Sequence, residues 1–299
     1  MVVHHPAYLM VTTMKWFELS IKVPDEFVEP VSYLFNKYGH VFSIEDVGDD
    51  WFLMRTYLSK RARQSFARIE IGIRLIASLR DIGELEVKTL EKREWQEEWK
   101  RYFHVLKVGH SLIIKPSWLA YEVQPGDRVL ELDPGMAFGT GYHPSTRTCL
   151  EALEKWICSG MKVLDLGTGS GILTIGAIRL GADFVTALDI DSSAIKAARQ
   201  NVKGAGLRDV VRLTKGTLPH FWVQPGSVDL VVANINATII EEKASQLLTA
   251  LGPGGVLIVS GIVESRRKEL ERIFQKLRLA QLETYSQDGW CTLVYKNHG

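Results

Sequence analysis

The chain has too few cysteines for a disulfide framework or a zinc site. Its three cysteines, Cys149, Cys158 and Cys291, are odd in number and far apart among 299 residues. Small secreted domains need paired cysteines, and zinc sites need closely spaced ligands. The sequence therefore indicates a reducing compartment, and we expect a cytoplasmic protein that binds no metal ion.

Long apolar runs and an excess of either charge are also missing. No apolar stretch approaches the roughly 20 residues that cross a bilayer, so we expect no membrane contact. The chain carries 36 Lys and Arg against 35 Asp and Glu, whereas a dedicated nucleic-acid-binding protein usually has a clear basic excess. With 46% hydrophobic and 24% charged residues, the composition is that of globular domains with a packed core.

The N-terminus lacks the features of a secretory signal. The stretch "MVVHHPAYLMVTTMKWF" has neither a basic first region nor a long apolar core. The patterned chain begins near Met14, which is an alternative start of the protein. We therefore interpret residues 1–13 as a disordered leader.

Residues 14–90 alternate between strand and helix patterns. Alternating apolar residues predict strands within 15–23, 41–48, 51–59 and 83–95, and helical spacing predicts helices within 25–39 and 60–80. The order strand, helix, strand, strand, helix, strand is that of a small α+β, ferredoxin-like domain. The second helix carries many arginines, which form either a solvated face or a contact for an acidic or RNA-rich partner.

Residues 91–104 are predicted to form a helix that links two domains. Within this segment Trp95, Trp99 and Phe103 fall four residues apart, so they share one stripe of the helix. Such a stripe fits core packing or contact with a substrate, and the sequence leaves both open.

Residues 105–299 have a different pattern: from about residue 160 onward, predicted strands alternate with predicted helices. This alternation predicts an α/β domain whose parallel sheet is covered by helices on both faces. In such folds the ligand binds beyond the carboxyl ends of the strands, near the point where the strand order reverses. Two glycine-rich loops, at 133–141 and 167–171, follow predicted strands and can meet there.

The second glycine loop, within "VLDLGTGSG", indicates a cofactor without a phosphate group. Gly167 and Gly169 permit a tight turn and close approach by a ligand, but the spacing departs from the GxGxxG of dinucleotide sites. Asp165, before the loop, would repel a pyrophosphate and suits a cationic amino group. Asp189 ends the next strand, where a carboxylate can accept both hydroxyls of a ribose. A ribose with a cationic amino acid describes S-adenosylmethionine, although either aspartate alone also fits an ordinary polar strand end.

Asn234, in "VDLVVANINAT", follows a further apolar strand and is the candidate catalytic residue. Methyl transfer to an amine is a displacement at a sulfonium carbon, so the amine must be neutral. Lysine has a pKa of about 10.4 in water, and the site must therefore favour its uncharged form. The Asn234 carbonyl can accept amine N–H groups and orient the lone pair, but asparagine is also a common turn residue. Asp191 is predicted to cap the helix after Asp189.

Together these motifs resemble the bacterial methyltransferases that modify protein eleven of the large ribosomal subunit. The resemblance runs from about Lys15 to the C-terminus and rests on "EWKRYFHVLKVG", "PSW", "DPGMAFGTGYHPST", "VLDLGTGSGIL", "ALDID", "ANI" and "GWC". The DPG-x-AFGTG-x-H pattern is specific to this family and a few protein-lysine relatives, whereas GxGxG marks the wider methyltransferase class.

The resemblance implies a class I, Rossmann-like methyltransferase domain at 105–299 and an N-terminal domain at 14–90 that binds the ribosomal protein. It also implies repeated methylation, with S-adenosylmethionine, of lysine ε-amines and the N-terminal α-amine. We expect a monomer whose contact with the ribosome is transient. The family's cofactor contacts fall on Thr146, Gly167, Asp189 and Asn234.

The first glycine loop, "DPGMAFGTGYHPSTRT" at 133–148, is interpreted as a lid over the cofactor. Its glycines, Gly139 among them, would let the backbone lie against the cofactor. Phe138 would close over the reacting end and exclude water, and Thr146 would supply a hydroxyl. His143 is either a general base or a residue that fixes the loop, and we favour the second role.

Two residues depart from the family pattern. Asn236 stands where the family usually has leucine, and we expect this change to alter the amine pocket; Ser145 conservatively replaces a threonine. Two other functions stay open. One is a lysine methyltransferase of the electron-transfer flavoprotein β-subunit type, which would not be expected to keep this N-terminal domain. The other is a noncatalytic or dinucleotide-binding protein, against which Asp165 speaks.

Overall fold

The computed structural model describes residues 15–59, 62–91, 104–132 and 141–298. The chain divides into two compact units, Met1–Phe103 and His104–Gly299. Three features of the sequence lie outside the described residues. They are the interpreted leader, most of the predicted linker with Trp95, Trp99 and Phe103, and the part of the first glycine loop with Phe138 and Gly139.

The described part of the first unit contains a four-stranded sheet and two helices. Its elements are β1 Lys15–Pro24, α1 Val28–Tyr38, β2 His40–Asp46, β3 Trp51–Ser59, α2 Arg63–Ala77 and β4 Glu86–Glu91, with a 3₁₀ turn at Asp25–Phe27. The strand order is β2-β3-β1-β4, and all neighbours are antiparallel. This arrangement confirms the predicted ferredoxin-like fold.

Alternation along β1 separates the two faces of this sheet. Leu19, Ile21 and Val23 are buried, whereas Lys22 between them is exposed. Each helix also buries one apolar stripe, which includes Val31, Phe35, Ile69 and Ile73. The first unit therefore has a core of its own.

The second unit contains two sheets and five described helices. The small sheet consists of β5 Leu106–Val108, β6 Leu112–Lys115 and β7 Arg128–Glu131. The large sheet consists of β8 Lys162–Leu166, β9 Phe184–Asp189, β10 Val211–Lys215, β11 Val228–Asn234, β12 Leu251–Val263, β13 Ala280–Gln287 and β14 Trp290–Lys296. The helices are α3 Pro144–Trp156, α4 Ile172–Leu180, α5 Ser192–Gly204, α6 Ala237–Ala250 and α7 Arg267–Lys276, with a 3₁₀ turn at Glu264–Arg266.

The large sheet has the strand order β10-β9-β8-β11-β12-β14-β13. Its first five strands are parallel, and the order reverses beside β8. β14 runs antiparallel between β12 and β13, so the predicted parallel sheet also has an antiparallel hairpin at one side, which the alternation of strands and helices does not predict. Asp288 and Gly289 both have positive φ. That conformation suits a two-residue hairpin, and a hairpin joins antiparallel strands.

Apolar side chains alternate along the central strands and face two separate cores. Val163 of β8 belongs to one cluster with Leu150 of α3 and Ile175 of α4. Its neighbour Leu164 belongs to the other cluster, with Ile240 of α6. The large sheet is therefore covered on both faces, as predicted.

The sequence does not predict three of the described elements. β5 has only three residues, and β13, "AQLETYSQ", is an edge strand that is mostly half-exposed and has little apolar alternation. α3 begins at Pro144, inside the motif interpreted as a loop; proline is favoured in the first helical turn. None of the described helices is long and apolar enough to cross a bilayer.

Candidate active site

Asp165 lies near the carboxyl end of β8 and is fully buried. Its Oδ2 accepts hydrogen bonds from the hydroxyls of Thr168, at 2.8 Å, and Thr174, at 2.6 Å. Its Oδ1 has no hydrogen-bonding partner within the described part of the chain. Burial raises the pKa of this carboxyl to about 6. A buried carboxylate with one oxygen left over fits a ligand that brings a cationic N–H group.

The loop after β8 needs glycine at three positions. Gly167, Gly169 and Gly171 have φ values of 80°, 55° and 86°, in the left-handed region that other residues rarely adopt. A Cβ at Gly167 would collide with the side chain of Ile235. Gly167 therefore leaves its backbone uncovered beside Ile235, where the ends of β8 and β11 meet.

Asp189, the last residue of β9, is tied to this loop. Its Oδ2 accepts the Gly169 N–H at 2.9 Å, and its Oδ1 accepts the Asp191 N–H at 2.9 Å. Burial raises its pKa, and the two N–H groups oppose that shift. Asp191 itself caps α5 by accepting the Ser193 N–H at 2.8 Å, which confirms its predicted role.

Asn234 and Thr146 meet at the end of β11, although they are far apart in the chain. Asn234 is 8% exposed and Thr146 is fully buried. The Asn234 Nδ2 donates to the Thr146 Oγ1 at 3.2 Å. The Asn234 Oδ1 is buried and has no partner among the described residues, so the amide keeps one acceptor for a ligand.

His143 begins α3 as its N-cap. Its Nδ1 lies 2.7 Å from the Ser145 Oγ and accepts the Ser145 N–H at 3.3 Å. The ring packs edge-on against Trp290, with 4.5 Å between centroids. Burial lowers the pKa of His143 to about 3, so the ring is neutral at physiological pH. These contacts agree with a loop-fixing role, and Trp290 ties the "GWC" motif to the "HPST" motif.

Asn236 caps α6, since its Oδ1 accepts the Thr238 N–H at 2.8 Å. Asparagine is a preferred N-cap residue, whereas leucine cannot make this bond. The departure from the family pattern therefore has a local structural effect, whatever it does to the amine pocket.

The structure brings Asp165, Gly167, Asp189 and Asn234 to the carboxyl edge of one sheet, with Thr146 bonded to Asn234. Phe138 and Gly139 lie outside the described residues. A chain of buried hydroxyls on Thr148, Ser260 and Thr292 adjoins the site, and sequence reasoning missed it. For Ser260 and Thr292 the signal was a small polar residue inside a strand that is otherwise apolar.

No group of three or more possible metal ligands occurs within the described ranges. The Asp165 Oδ1, which has no partner among the described residues, fits a cationic amino acid group. Asp189 fits the hydroxyls of a ribose, and the glycines of the loop let a ligand approach the backbone closely. This site, at the point where the strand order reverses, sits in a sheet with an antiparallel strand inserted near one edge. Together they define a class I S-adenosylmethionine-dependent methyltransferase.

The family described as Ribosomal protein L11 methyltransferase (PrmA) matches residues 15–298, and the chain belongs to this family. A Ribosomal protein L11 methyltransferase from Chloroflexus aurantiacus is 36% identical over 95% of this chain and 98% of its own length. One from Herpetosiphon aurantiacus is 35% identical over 95% of this chain and 99% of its own length. The solved structure of a ribosomal protein L11 methylase from Lactobacillus delbrueckii subsp. bulgaricus is 31% identical, with a TM-score of 0.58; the match covers 66% of this chain and all of that one.

Proposed function

We propose that the protein transfers methyl groups from S-adenosylmethionine to ribosomal protein L11, at lysine ε-amines and the N-terminal α-amine. The names of relatives that match nearly the whole chain support the substrate. One observation carries the chemistry: the Asn234 Oδ1 is a buried acceptor without a donor among the described residues. Buried acceptors are normally hydrogen-bonded, and a substrate amine supplies the missing N–H.

The cofactor is assigned to the carboxyl edge of the large sheet. Asp189 would accept its ribose hydroxyls, and the free Oδ1 of Asp165 would accept its ammonium group. Gly167 and Gly169 would let it approach the backbone closely. These roles use the one oxygen of Asp165 that Thr168 and Thr174 leave open.

Four further residues are assigned to the reacting end of the cofactor. Thr146 and Asn234 are hydrogen-bonded to each other at this end of the sheet. Phe138 and Gly139, outside the described residues, take their roles from the interpretation of the first glycine loop as a lid. In this proposal they cover the cofactor, and Phe138 keeps water away from the transfer.

When bound, S-adenosylmethionine supplies a methyl group on a positively charged sulfur, which leaves as a neutral thioether. Asn234 would accept an N–H of the neutral amine and direct its lone pair, so that most of the gain is orientation. The amide carries no charge. It therefore does not hold the amine in its protonated form, as a carboxylate at this position would. The methylated amine then loses a proton to solvent before another round.

The direct test is transfer of labelled methyl groups to purified L11, counted by mass spectrometry. We expect several methyl groups per L11 molecule, on lysines and on the N-terminus. The β subunit of electron-transfer flavoprotein, offered under the same conditions, should stay unlabelled. Label on the flavoprotein subunit and none on L11 would replace this function with the alternative, which family membership does not favour.

We further assign substrate recognition to residues 14–90. α2 and the turn after it expose Ile71, Leu75 and Leu79, which are 58%, 63% and 78% accessible and four residues apart. Arg68 and Arg74 are exposed beside them. A contiguous exposed apolar stripe is typical of an interaction site. A face that only contacts water would carry polar residues at these positions. We favour contact with a protein surface that has an apolar centre and acidic groups at its rim.

The double variant Ile71→Glu, Leu75→Glu tests this assignment. It should lower kcat/KM for L11 by about tenfold to a hundredfold, as expected for loss of central interface residues, and leave the affinity for S-adenosylmethionine unchanged. Val123→Glu is the matched control, because Val123 is 60% exposed in the second unit. Equal kcat/KM in the double variant and the control would remove α2 from the binding surface.

The proposal also includes a monomeric protein that works in the cytoplasm and contacts the ribosome only transiently. Sedimentation of the purified protein, alone and mixed with ribosomes, tests both points. The protein is expected to sediment as one slow species in both samples, separate from the ribosomes in the second. Stable co-sedimentation with the ribosomes would contradict transient contact.

A further inference from the structure

Three hydroxyl groups are buried together between α3 and the large sheet. Thr148 lies on α3, Ser260 on β12 and Thr292 on β14, and none is more than 2% exposed. The oxygens of Thr148 and Thr292 are 2.7 Å apart, and Thr292 donates to the Ser260 Oγ at 2.6 Å. Ser260 in turn donates to the Ser145 carbonyl at 3.2 Å.

These bonds form one connected chain of hydroxyls. The Thr148 Oγ1 also reaches the Pro144 and Ser145 carbonyls, at 3.1 and 3.2 Å, and the Ser260 Oγ also reaches the Cys291 carbonyl, at 3.4 Å. A hydroxyl has a single proton, which Thr148 and Ser260 share among these acceptors, and either threonine can be the donor between Thr148 and Thr292. Thr292 is the central member, because it contacts both of the other hydroxyls. Buried hydroxyls destabilise a core unless they are paired, and a paired chain fixes the elements that carry it.

Both ends of the Thr146–Asn234 hydrogen bond rest on this chain. The Ser145 carbonyl belongs to the peptide group that joins Ser145 to Thr146. Ser260 is the register neighbour of Asn234 on the adjoining strand, and its carbonyl accepts the Ile235 N–H at 3.1 Å. The chain therefore holds the backbone on each side of a side-chain contact that is 3.2 Å long.

We propose that Thr292 is a positioning residue for the transfer reaction. Through Ser260 and Thr148 it keeps Thr146 against the Asn234 Nδ2, and so leaves the Asn234 Oδ1 free for the amine. This inference rests on the proposed function. Without the chain, the Asn234 amide rotates and its carbonyl no longer points in one fixed direction.

The test compares Thr292→Val, which keeps the shape but removes the hydroxyl, with Thr292→Ser, which keeps the hydroxyl. Thr292→Val should lower kcat about tenfold to a hundredfold, with KM for L11 changed less than about twofold, since misplacing a reacting group affects turnover more than binding. Thr292→Ser should restore most of kcat. Thr148→Val, which removes the hydroxyl at the end of the chain and leaves Thr292 bonded to Ser260, should give a smaller loss.

Thr186→Val is the control, because Thr186 is a buried threonine of β9 outside the chain. It should leave kcat unchanged. An equal loss of kcat in Thr186→Val and Thr292→Val, or a loss in Thr292→Val that serine does not restore, would overturn the positioning role. If Thr292→Val does not fold, the comparison of Thr148→Val with Thr186→Val decides in the same way.

A second readout needs no substrate. The Asn234 side-chain NH₂ protons should exchange slowly with water in ¹⁵N NMR spectra of the wild-type protein, and faster in Thr292→Val; Asn234→Asp identifies the signal. Unchanged exchange in Thr292→Val would contradict the proposal. If the wild-type protein fails to methylate L11, the proposed function fails, and this measurement still decides whether the chain positions Asn234.

Discussion

The two units bury and expose different kinds of side chain. Among the described residues the first unit buries two polar side chains, Ser32 and Thr56, while the second buries eleven. Large exposed apolar residues show the reverse: six lie in the shorter first unit and four in the second. A buried polar group destabilises a domain unless it is hydrogen-bonded, and an exposed apolar group adds no stability to an isolated protein, because it stays in contact with water.

The difference separates two tasks. Methyl transfer needs polar groups that are fixed in a site from which water is excluded, and the buried polar residues gather around the ends of β8 and β11. Recognition of a folded protein needs apolar surface that becomes buried only in the complex, and α2 offers such a surface. Substitutions of the polar residues around the ends of β8 and β11 should therefore change turnover or cofactor affinity, and those on α2 should change only the efficiency with the protein substrate.

Asn234→Ala is the substitution with the largest expected effect. It should lower turnover by on the order of a hundredfold or more, because the amine loses the group that orients it. Stability should change by less than about 1 kcal/mol, since one hydrogen bond is lost and an unpaired buried oxygen is removed with it. Single-turnover kinetics and thermal unfolding measure the two effects.

Asn297→Ala provides the control for that substitution. Asn297 donates to backbone carbonyls near the start of β12, at the opposite edge of the sheet. It should lose stability and keep normal turnover. Near-normal turnover in Asn234→Ala, or a comparable loss in Asn297→Ala, would contradict the division between the site and the rest of the second unit.

The second prediction concerns the pH dependence that Asp165 causes. Its pKa is raised to about 6 in the unliganded protein, so below pH 6 the carboxyl is protonated and cannot pair with the cofactor's ammonium group. Affinity for S-adenosylmethionine should therefore fall about tenfold for each pH unit below 6. Calorimetry at pH 5 and pH 7 measures this fall, and Asp165→Asn should abolish the dependence on pH.

The stability of the unliganded protein should change in the opposite direction. Because folding raises the Asp165 pKa, the folded state holds this proton more tightly than the unfolded state does. Stability from this group is present below the unfolded pKa, near 4, and is lost as pH rises through 6. The loss is on the order of 3 kcal/mol relative to Asp165→Asn. A wild-type protein that gains stability over Asp165→Asn between pH 4 and 6 would contradict the raised pKa.

Much of the site could be predicted, because the ends of its strands can be recognised in the sequence. Asp165, Asp189 and Asn234 each close an apolar run, and parallel strands bring their carboxyl ends to one edge. The contact between Thr146 and Asn234 could not be predicted from the sequence, because it joins helix α3 to strand β11 and depends on how the two pack. The contact between Ser260 and Thr292 could not be predicted either, because it depends on the pairing of β12 with β14.

Hydrophobic periodicity also does not predict the direction of the last strands. Whether a strand is parallel is decided by its connection, and the Asp288–Gly289 hairpin outweighs the alternation of strands and helices before it. Among the described strands, β13 lies at the edge of the sheet and pairs only with β14, so it needs no continuous apolar pattern. The ferredoxin-like unit was predictable because β1, α1 and α2 each bury one clear apolar face.

The smallest expected effect belongs to Asn236→Leu, which introduces the residue usual in the family. It removes the bond from the Thr238 N–H to the Asn236 Oδ1 and should cost about 1 kcal/mol of stability, as loss of an N-cap does. Asp191→Ala removes the equivalent cap of α5 and should cost a similar amount. Equal stability of Asn236→Leu and the wild-type protein would contradict the capping role. Mass spectra of L11 methylated by both proteins show whether position 236 also selects the amines, which the departure from the family pattern predicts.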